Sequence, residues 1–331
     1  TPSSTKQPRT AAPAAPTKKR RATAPNTKAS PATAKNGVAY VKAPKTKAAP
    51  AAATSANRQR VLPIVTSMNF IPLDNLESCQ NKALVYVKSK AKDLHEAALP
   101  SLQAKMKALS GYSEADLLGC LKYIKEDAPI IIHLPKETLA EMVHDTHYRN
   151  CFETKSRDTT YQAIRLIWEK NMFDGAYQDS APFYCPKYGC LNLSGDIEGC
   201  ASARGYGPNF LTLKQNVRTR CTLWNEGSKL ASDVQVATLE YYAHILAQYS
   251  DEELENLLRV CKQARLGGCR SNSETPKEVH IHGPIDLAND IQALSIPGRA
   301  EDATPEMMDI VLQFQVKTGC NVFWQQDLLG M

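Results

Sequence analysis

Residues 278 to 284 read EVHIHGP, which sets Glu278, His280 and His282 at alternate positions with Val279 and Ile281 between them. A β-strand sends successive side chains to opposite faces, so a carboxylate and two imidazoles share one face here and two apolar side chains share the other. Such a row suits three kinds of chemistry. It can ligate a metal, it can set a carboxylate beside groups that orient it, or it can be a polar strand face with satisfied histidines. His144 and His147, at i,i+3 spacing, offer two further imidazoles. No HExxH or comparable zinc-binding pattern occurs anywhere in the chain to favour the metal.

Three other stretches combine chemically useful residues. HYRNCFET (147 to 154) puts Arg149 in a strand-like context beside Phe152 and ahead of Thr154. An arginine facing a cleft binds phosphate through two parallel N–H bonds, whereas on an open strand it is an ordinary surface charge. The stretch from 174 to 193 is rich in Gly, Pro and Tyr, a loop composition. Its Tyr177, Phe183, Tyr184 and Tyr188 either offer a planar ring a stacking surface or anchor the loop to the core. RTRCTLWNEGS (218 to 228) places Thr222 in a short strand and Gly227-Ser228 in a turn. Its hydroxyl can orient a carboxylate or hold a substrate, or simply reflect the β-propensity of threonine.

The elements that must carry these residues begin after residue 60. Residues 1 to 60 hold thirteen of the 40 Lys and Arg and none of the 34 Asp and Glu. This segment alone therefore carries more charge than the net +6 of the whole chain, and the remainder is mildly acidic. With few large apolar side chains and strong self-repulsion, the segment is expected to be a disordered tail resembling that of a linker histone. Lys18-Lys19-Arg20-Arg21 could address a nucleus, or contact nucleic acid or another anionic surface. Residues 61 to 127 are expected to form an extended entry and a helical subdomain, with Ser113 and Asp116 as a helix start. Residues 128 to 331 then read as one α+β domain.

Within that domain PIIIHLP (129 to 135) is a buried strand, and KETLAEMVHD and YQAIRLIWEKNMF are amphipathic helices. The second is expected to bury Ile164, Ile167 and Trp168. FLTLKQNV (210 to 217) and CTLW (221 to 224) read as strands. A helical stretch runs from 233 to 266 with a break and a capping box at Ser250 and Glu253, and a last helix starts at Thr304-Pro305 and ends near Gly319. The ten cysteines form no CxxC pair, which fits structural thiols in a reducing compartment. No run of about 18 apolar residues suggests a membrane span. A cytoplasmic or nuclear protein, or an effector delivered into a host cell, is expected.

Taken in order, these pieces carry a resemblance. They are Glu126-Asp127-Ala128-Pro129 with its strand, an RxxFET box (Arg149, Phe152, Glu153, Thr154), a WExxxFxGAY box (Trp168 to Tyr177) and PKYGxLNL (Pro186 to Leu193). An RxTxxxxGS box (Arg220 to Ser228) and ExxxHGPxDL (Glu278 to Leu287) complete the series. Together, over about residues 125 to 295, they resemble a bacterial family of uncharacterised domains similar to mono-ADP-ribosyltransferase effectors of the CteC type, which modify a threonine of ubiquitin. The resemblance implies an ADP-ribosyltransferase fold, a split β-sandwich around a cleft for NAD, which is consumed as a substrate. It implies that Arg149 clamps phosphate, that Phe152, Thr154 and Thr222 border the cofactor, and that Glu278 is the catalytic glutamate. Tyr188 would stack on nicotinamide, and His280 and His282 would serve the acceptor side.

A physical argument for Glu278 runs beside the resemblance. Breaking the nicotinamide glycosidic bond builds positive charge on the ribose carbon, and a carboxylate holding the ribose hydroxyl lowers that barrier without a metal. Two further functions stay open on the sequence. One is a nucleic-acid-associated or scaffold protein working through the tail, and the other is a metal-dependent hydrolase using His280 and His282.

Overall fold

The alternation in EVHIHGP becomes β6 (Lys277–Ile281), a central strand whose Val279 and Ile281 sink into one side of a sheet while Glu278 and His280 point to the other. The computed structural model describes residues 75–155, 157–225, 236–264 and 277–329. All of them fall in the compact unit Ile64–Met331. The basic tail, Gly227-Ser228 and Ser156 lie outside the described residues.

In chain order the helices are α1 (Ser78–Ala108), α2 (Glu114–Glu126), α3 (Lys136–Met142), α4 (Cys151–Thr154), α5 (Thr159–Met172), α6 (Ala243–Ala247), α7 (Asp251–Ala264), α8 (Pro305–Thr318) and α9 (Gln325–Leu329). The strands are β1 (Ile130–Leu134), β2 (Lys187–Leu191), β3 (Asn209–Leu213), β4 (Cys221–Asn225), β5 (Val236–Thr238), β6, β7 (Ile291–Ile296) and β8 (Asn321–Trp324). They form a single sheet in the order β5-β4-β6-β2-β1-β3-β7-β8, in which only the β7–β8 pair is parallel. The α+β class expected from the sequence holds. No helix among the described residues is long and apolar enough to cross a membrane.

The two faces of the sheet differ in chemistry. Ile130, Ile132, Leu134, Leu191, Leu211, Leu223, Val279, Ile281 and Leu294 share one face and pack with Leu102, Leu117, Ile124, Leu139, Leu258 and Phe314 of the helices. Each such side chain contributes about 1.5–3 kcal/mol by leaving water. α1 and α2, expected as a helical subdomain, join this same core through Leu102, Met106, Leu117 and Ile124. The opposite face carries Tyr188, Thr222, Trp224, Glu278 and His280 and is covered by a smaller cluster that includes Ala83, Val87, Met172, Phe173 and Tyr177.

Local signals hold at the helix ends. Ser113 Oγ accepts from the Asp116 amide at 3.3 Å and α2 starts there. Ser250 and Glu253 exchange the same pair of bonds at the start of α7, and α8 runs from Pro305 to a left-handed Gly319. Other expectations fail. The part expected to be helical before the break at Ser250 is, from Val236 on, β5 followed by the short α6, because Ala237 and Val236 pair with β4 and fill the sheet edge. The stretch read as a loop from 174 contains β2. The strand expected over 210 to 217 ends at Leu213, after which Gln215–Arg220 form a 3-10 helix.

β2 carries one constraint of its own. A Cβ placed on Gly189 would lie 2.6 Å from the carbonyl oxygen of Ile131 on the neighbouring strand, and backbone cannot give way as a side chain can. Gly189→Ala is expected to lower stability by about 1–3 kcal/mol or more, read as a reduced urea midpoint with an unchanged m-value.

Candidate active site

The register of three adjacent strands brings the polar face together. His280 stands opposite Tyr188 of β2 on one side and Thr222 of β4 on the other, and Glu278 stands opposite Cys190 and Trp224. From this row runs a continuous chain of contacts. Glu278 Oε1 lies 2.9 Å from His280 Nε2, His280 Nδ1 lies 3.3 Å from Thr222 Oγ1, Thr222 Oγ1 lies 3.0 Å from His282 Nε2, and His282 Nδ1 lies 2.5 Å from Tyr177 Oη.

The carboxylate fixes the polarity at its own end of that chain. A carboxylate only accepts, so His280 Nε2–H donates to it. An uncharged His282 donates through one ring nitrogen and accepts at the other, so of Thr222 and Tyr177 one receives its N–H and the other donates to it. The surroundings of His282 keep it uncharged. Burial holds its proton affinity well below the ordinary histidine range, and His280, Arg220 and Lys187 push it the same way. His280 and His282 are 1% and 0% exposed, while the Glu278 side chain keeps 18% of its surface. The row therefore orients a carboxylate at its accessible end. All four ring nitrogens are engaged within it, and no grouping of three or more His, Cys, Asp or Glu suited to a metal occurs among the described residues.

β4 and β6 are held in place beyond the row by a buried ion pair. Arg220, 1% exposed, donates to Asp290 Oδ2 at 2.8 Å and to the His282 carbonyl at 2.7 Å. Asp290 also accepts from the Asp286 amide and from Asn216. The turn between them passes through Gly283 at φ +85°, where a Cβ would meet Leu76 at 2.7 Å. The HGPxDL segment is thus a buried joint as well as the end of the site strand.

Across the polar face lies α5, and its orientation reverses the expected one. Arg165, Glu169 and Met172 are buried, whereas Ile164 and Ile167 are exposed and Trp168 is only partly covered. Packing against a polar sheet face explains this, because the Tyr188 hydroxyl donates to Glu169 Oε1 at 3.0 Å and the Arg165 guanidinium lies 3.2 Å from the centre of the Tyr188 ring. Arg165 Nε and Glu169 Oε2 are buried without a hydrogen-bond partner. Burial pushes the Glu169 carboxyl up to about 7 against the pull of Arg165 and the Tyr188 hydroxyl, and Glu278 adds to the rise. The Tyr188 ring has Arg165 on its face and makes an edge contact with His280 at 4.9 Å, so that face is not open to stack nicotinamide.

Other expected site residues fall elsewhere. Arg149 is in no strand. It lies between the isolated His147–Asp286 bridge and α4, and its guanidinium already binds Asp145 Oδ2 at 2.8 Å and Glu141 Oε2 at 3.2 Å. Phe152 and Thr154 belong to the single turn of α4, where Asn150 Oδ1 accepts from the Phe152 and Glu153 amides and Thr154 Oγ1 donates to the Asn150 carbonyl. Asn150 and the buried Lys187 donate to carbonyls of the aromatic loop, at Pro182 and Cys185 and at Phe183 and Cys185 respectively. Burial lowers the Lys187 ammonium to about 8, opposed chiefly by Glu153. The FET box therefore builds a structural joint. Thr222 does reach the row, as a bridge between two imidazoles. A cleft of about 590 Å³ opens between the first turns of α1 and the end of α5, lined by Ser78, Asn81, Lys82, Tyr86 and Phe173. Phe173 also edges onto both His280 and His282.

Sequence reasoning named Glu169 and Arg220 only as members of their boxes and passed over Arg165 and Asp290, giving none of the four a role in the site. The available signal was spacing, since Arg165 and Glu169 are i,i+4 on a helix and Glu169 stands within the WExxxFxGAY box.

Fold and site define an α+β protein with a carboxylate held at the end of an imidazole row. Residues 131–267 match the model of a family described as a protein of unknown function, DUF3626. The matched span covers β1 through α7 and stops before β6, so it contains Arg149, Glu169, Tyr188 and Thr222 but not Glu278. No curated protein matches the chain.

Two outcomes follow for stability. Asp290→Ala leaves the Arg220 charge buried and unmatched and is expected to cost about 3–5 kcal/mol in chemical unfolding, with Asp290→Asn milder. Glu169 holds its proton more tightly folded than unfolded, so its contribution is present below pH 4.5 and is lost as pH rises through about 7. Wild type is accordingly expected to lose stability relative to Glu169→Gln across that window, measured by urea unfolding at several pH values.

Proposed function

We propose that this chain is an NAD-dependent protein mono-ADP-ribosyltransferase, built on one eight-stranded sheet where the resemblance implies a split β-sandwich, with Glu278 as the residue that stabilises the developing ribosyl cation. The observation that supports it most is the row ending on Glu278, in which His280 fixes the carboxylate at 2.9 Å and every further donor behind it is committed. A carboxylate oriented in advance and partly shielded from water stabilises positive charge that appears only in the transition state. The sequence boxes supply a second support. Tyr188 of PKYGxLNL, Thr222 of RxTxxxxGS and Glu278 of ExxxHGPxDL lie on β2, β4 and β6, three neighbouring strands with Tyr188, Thr222 and His280 in one register row.

In this proposal the acceptor is a protein side chain, with a threonine of ubiquitin the candidate by resemblance. Phosphate binding by Arg149 requires it to exchange Asp145 and Glu141 for the ligand, which a compact guanidinium near the surface can do at modest cost. The nicotinamide face needs an aromatic other than Tyr188. Thr222 serves the row and not the cofactor.

The test is nicotinamide release and label transfer from NAD to ubiquitin and to a cell lysate. Glu278→Gln keeps shape and removes the charge, so turnover is expected to fall by about 100-fold or more with NAD affinity little changed. An active Glu278→Gln protein, or a wild type that neither splits NAD nor transfers label, overturns the proposal.

A further inference from the structure

We infer that Tyr188 and Glu169 form the proton-accepting arm of the site, Tyr188 taking the acceptor hydroxyl's proton as it passes its own to Glu169. The inference rests on the transferase function proposed above and assigns the half of that reaction which Glu278 does not perform. Transfer of ribose to a hydroxyl forms a new C–O bond at the ribose carbon and breaks the bond to nicotinamide, whose nitrogen keeps the electron pair. The acceptor's proton is left over. Glu278, already accepting from His280, is committed to the ribose side, so a second base is required.

The geometry supplies one. Tyr188 is only partly buried and stands in register with His280, two residues along β6 from Glu278. Its hydroxyl already donates to Glu169 Oε1 at 3.0 Å. In the step proposed, the acceptor O–H donates to Tyr188 Oη while the Tyr188 proton moves to Glu169, so the tyrosine begins and ends neutral and the carboxylate ends protonated. Nothing further is consumed. Glu169 is 1% exposed, which denies it direct contact with bulk water and makes the tyrosine its outlet. Its second oxygen has no hydrogen-bond partner, a cost that a purely structural side chain would not need to carry.

The helix that carries Glu169 points the same way. α5 turns Arg165 and Glu169 onto the polar sheet face and leaves Ile164, Leu166 and Ile167 exposed, which brings the Glu169 carboxylate to the Tyr188 hydroxyl. Arg165, over the Tyr188 ring at 3.2 Å from its centre, fixes the phenol and favours any transient negative charge on it. The groups that set the proton affinity of Glu169 are Arg165 on its own helix, Tyr188 and Lys187 on β2, and Glu278 on β6. Tyr177 and the thiols of Cys151 and Cys185 complete its surroundings. Burial, the largest influence, places Glu169 at about 7, where a base accepts a proton readily and gives it up again between turnovers.

The experiment is the pH dependence of nicotinamide release by the full chain from pH 5 to 9, with NAD and ubiquitin as the probes. The base must be deprotonated, so wild-type turnover is expected to rise as pH passes about 7 and then level off. Glu169→Gln and Tyr188→Phe should each lower the plateau by about 100-fold and abolish that rise, while Glu169→Asp restores a rise. NAD affinity should stay within a few-fold in all three, because none removes a charge clamp on phosphate. A variant that loses activity yet keeps the wild-type pH rise shows a positioning role only and overturns the inference. So does a Tyr188→Phe protein with the wild-type rate. If wild type splits NAD and Glu278→Gln does not, those results leave the transferase standing; if wild type splits no NAD, both fall together.

Discussion

The period of two in β6 is the constraint from which the site follows. Val279 and Ile281 are fully buried among aliphatic side chains of the helical layer, and once they are there Glu278 and His280 have no choice of direction. A slip of one residue would drive a carboxylate and an imidazole into that core, at a cost no other contact in the protein could offset. The position between β4 and β2 then decides the neighbours. Thr222 and Tyr188 are what the register sets beside His280, and the imidazole row continues past the end of the strand because Arg220 holds the His282 amide and carbonyl.

Polarity on one sheet face propagates outward. An aliphatic helix face laid over Tyr188 would leave its hydroxyl without a partner, so α5 meets it with Arg165 and Glu169 instead. The same logic governs the strand ends, where the Arg220–Asp290 pair joins the end of the 3-10 helix before β4 to the turn after β6. Here the two buried charges are matched and each makes further hydrogen bonds, so removing either partner would leave the other buried and uncompensated.

What could be read from the residues divides along these lines. β1, β6, α2, α7 and α8 were legible because their signals are local: alternation, a β-branched run between prolines, or a cap three residues from its partner. β2 was hidden in a Gly- and Tyr-rich stretch, since Gly189 is selected by its approach to Ile131 and weakens any strand signal. α5 was placed correctly and turned the wrong way, because helical periodicity reveals that a helix has two faces and not what lies opposite them. Glu278, His280 and His282 were found on one face as expected. Arg149 was found occupied by Asp145 and Glu141, a pairing i,i+4 spacing allowed but did not require.

α1 belongs to both sides of this molecule. Ala83 and Val87, in its first half, pack with Phe173, Tyr177 and Trp224 over the polar face, while Leu102 and Met106, in its second, pack with the strands' aliphatic face. Between them stands Pro100, which gives no amide to the helical ladder. One continuous segment is therefore shared by the layer that supplies most of the folding energy and the layer that holds the site, and neither can open without pulling on the other. Beside the alternating strands themselves, α1 is a second tie between the two layers, and the polar face draws part of its rigidity through it from the hydrophobic core.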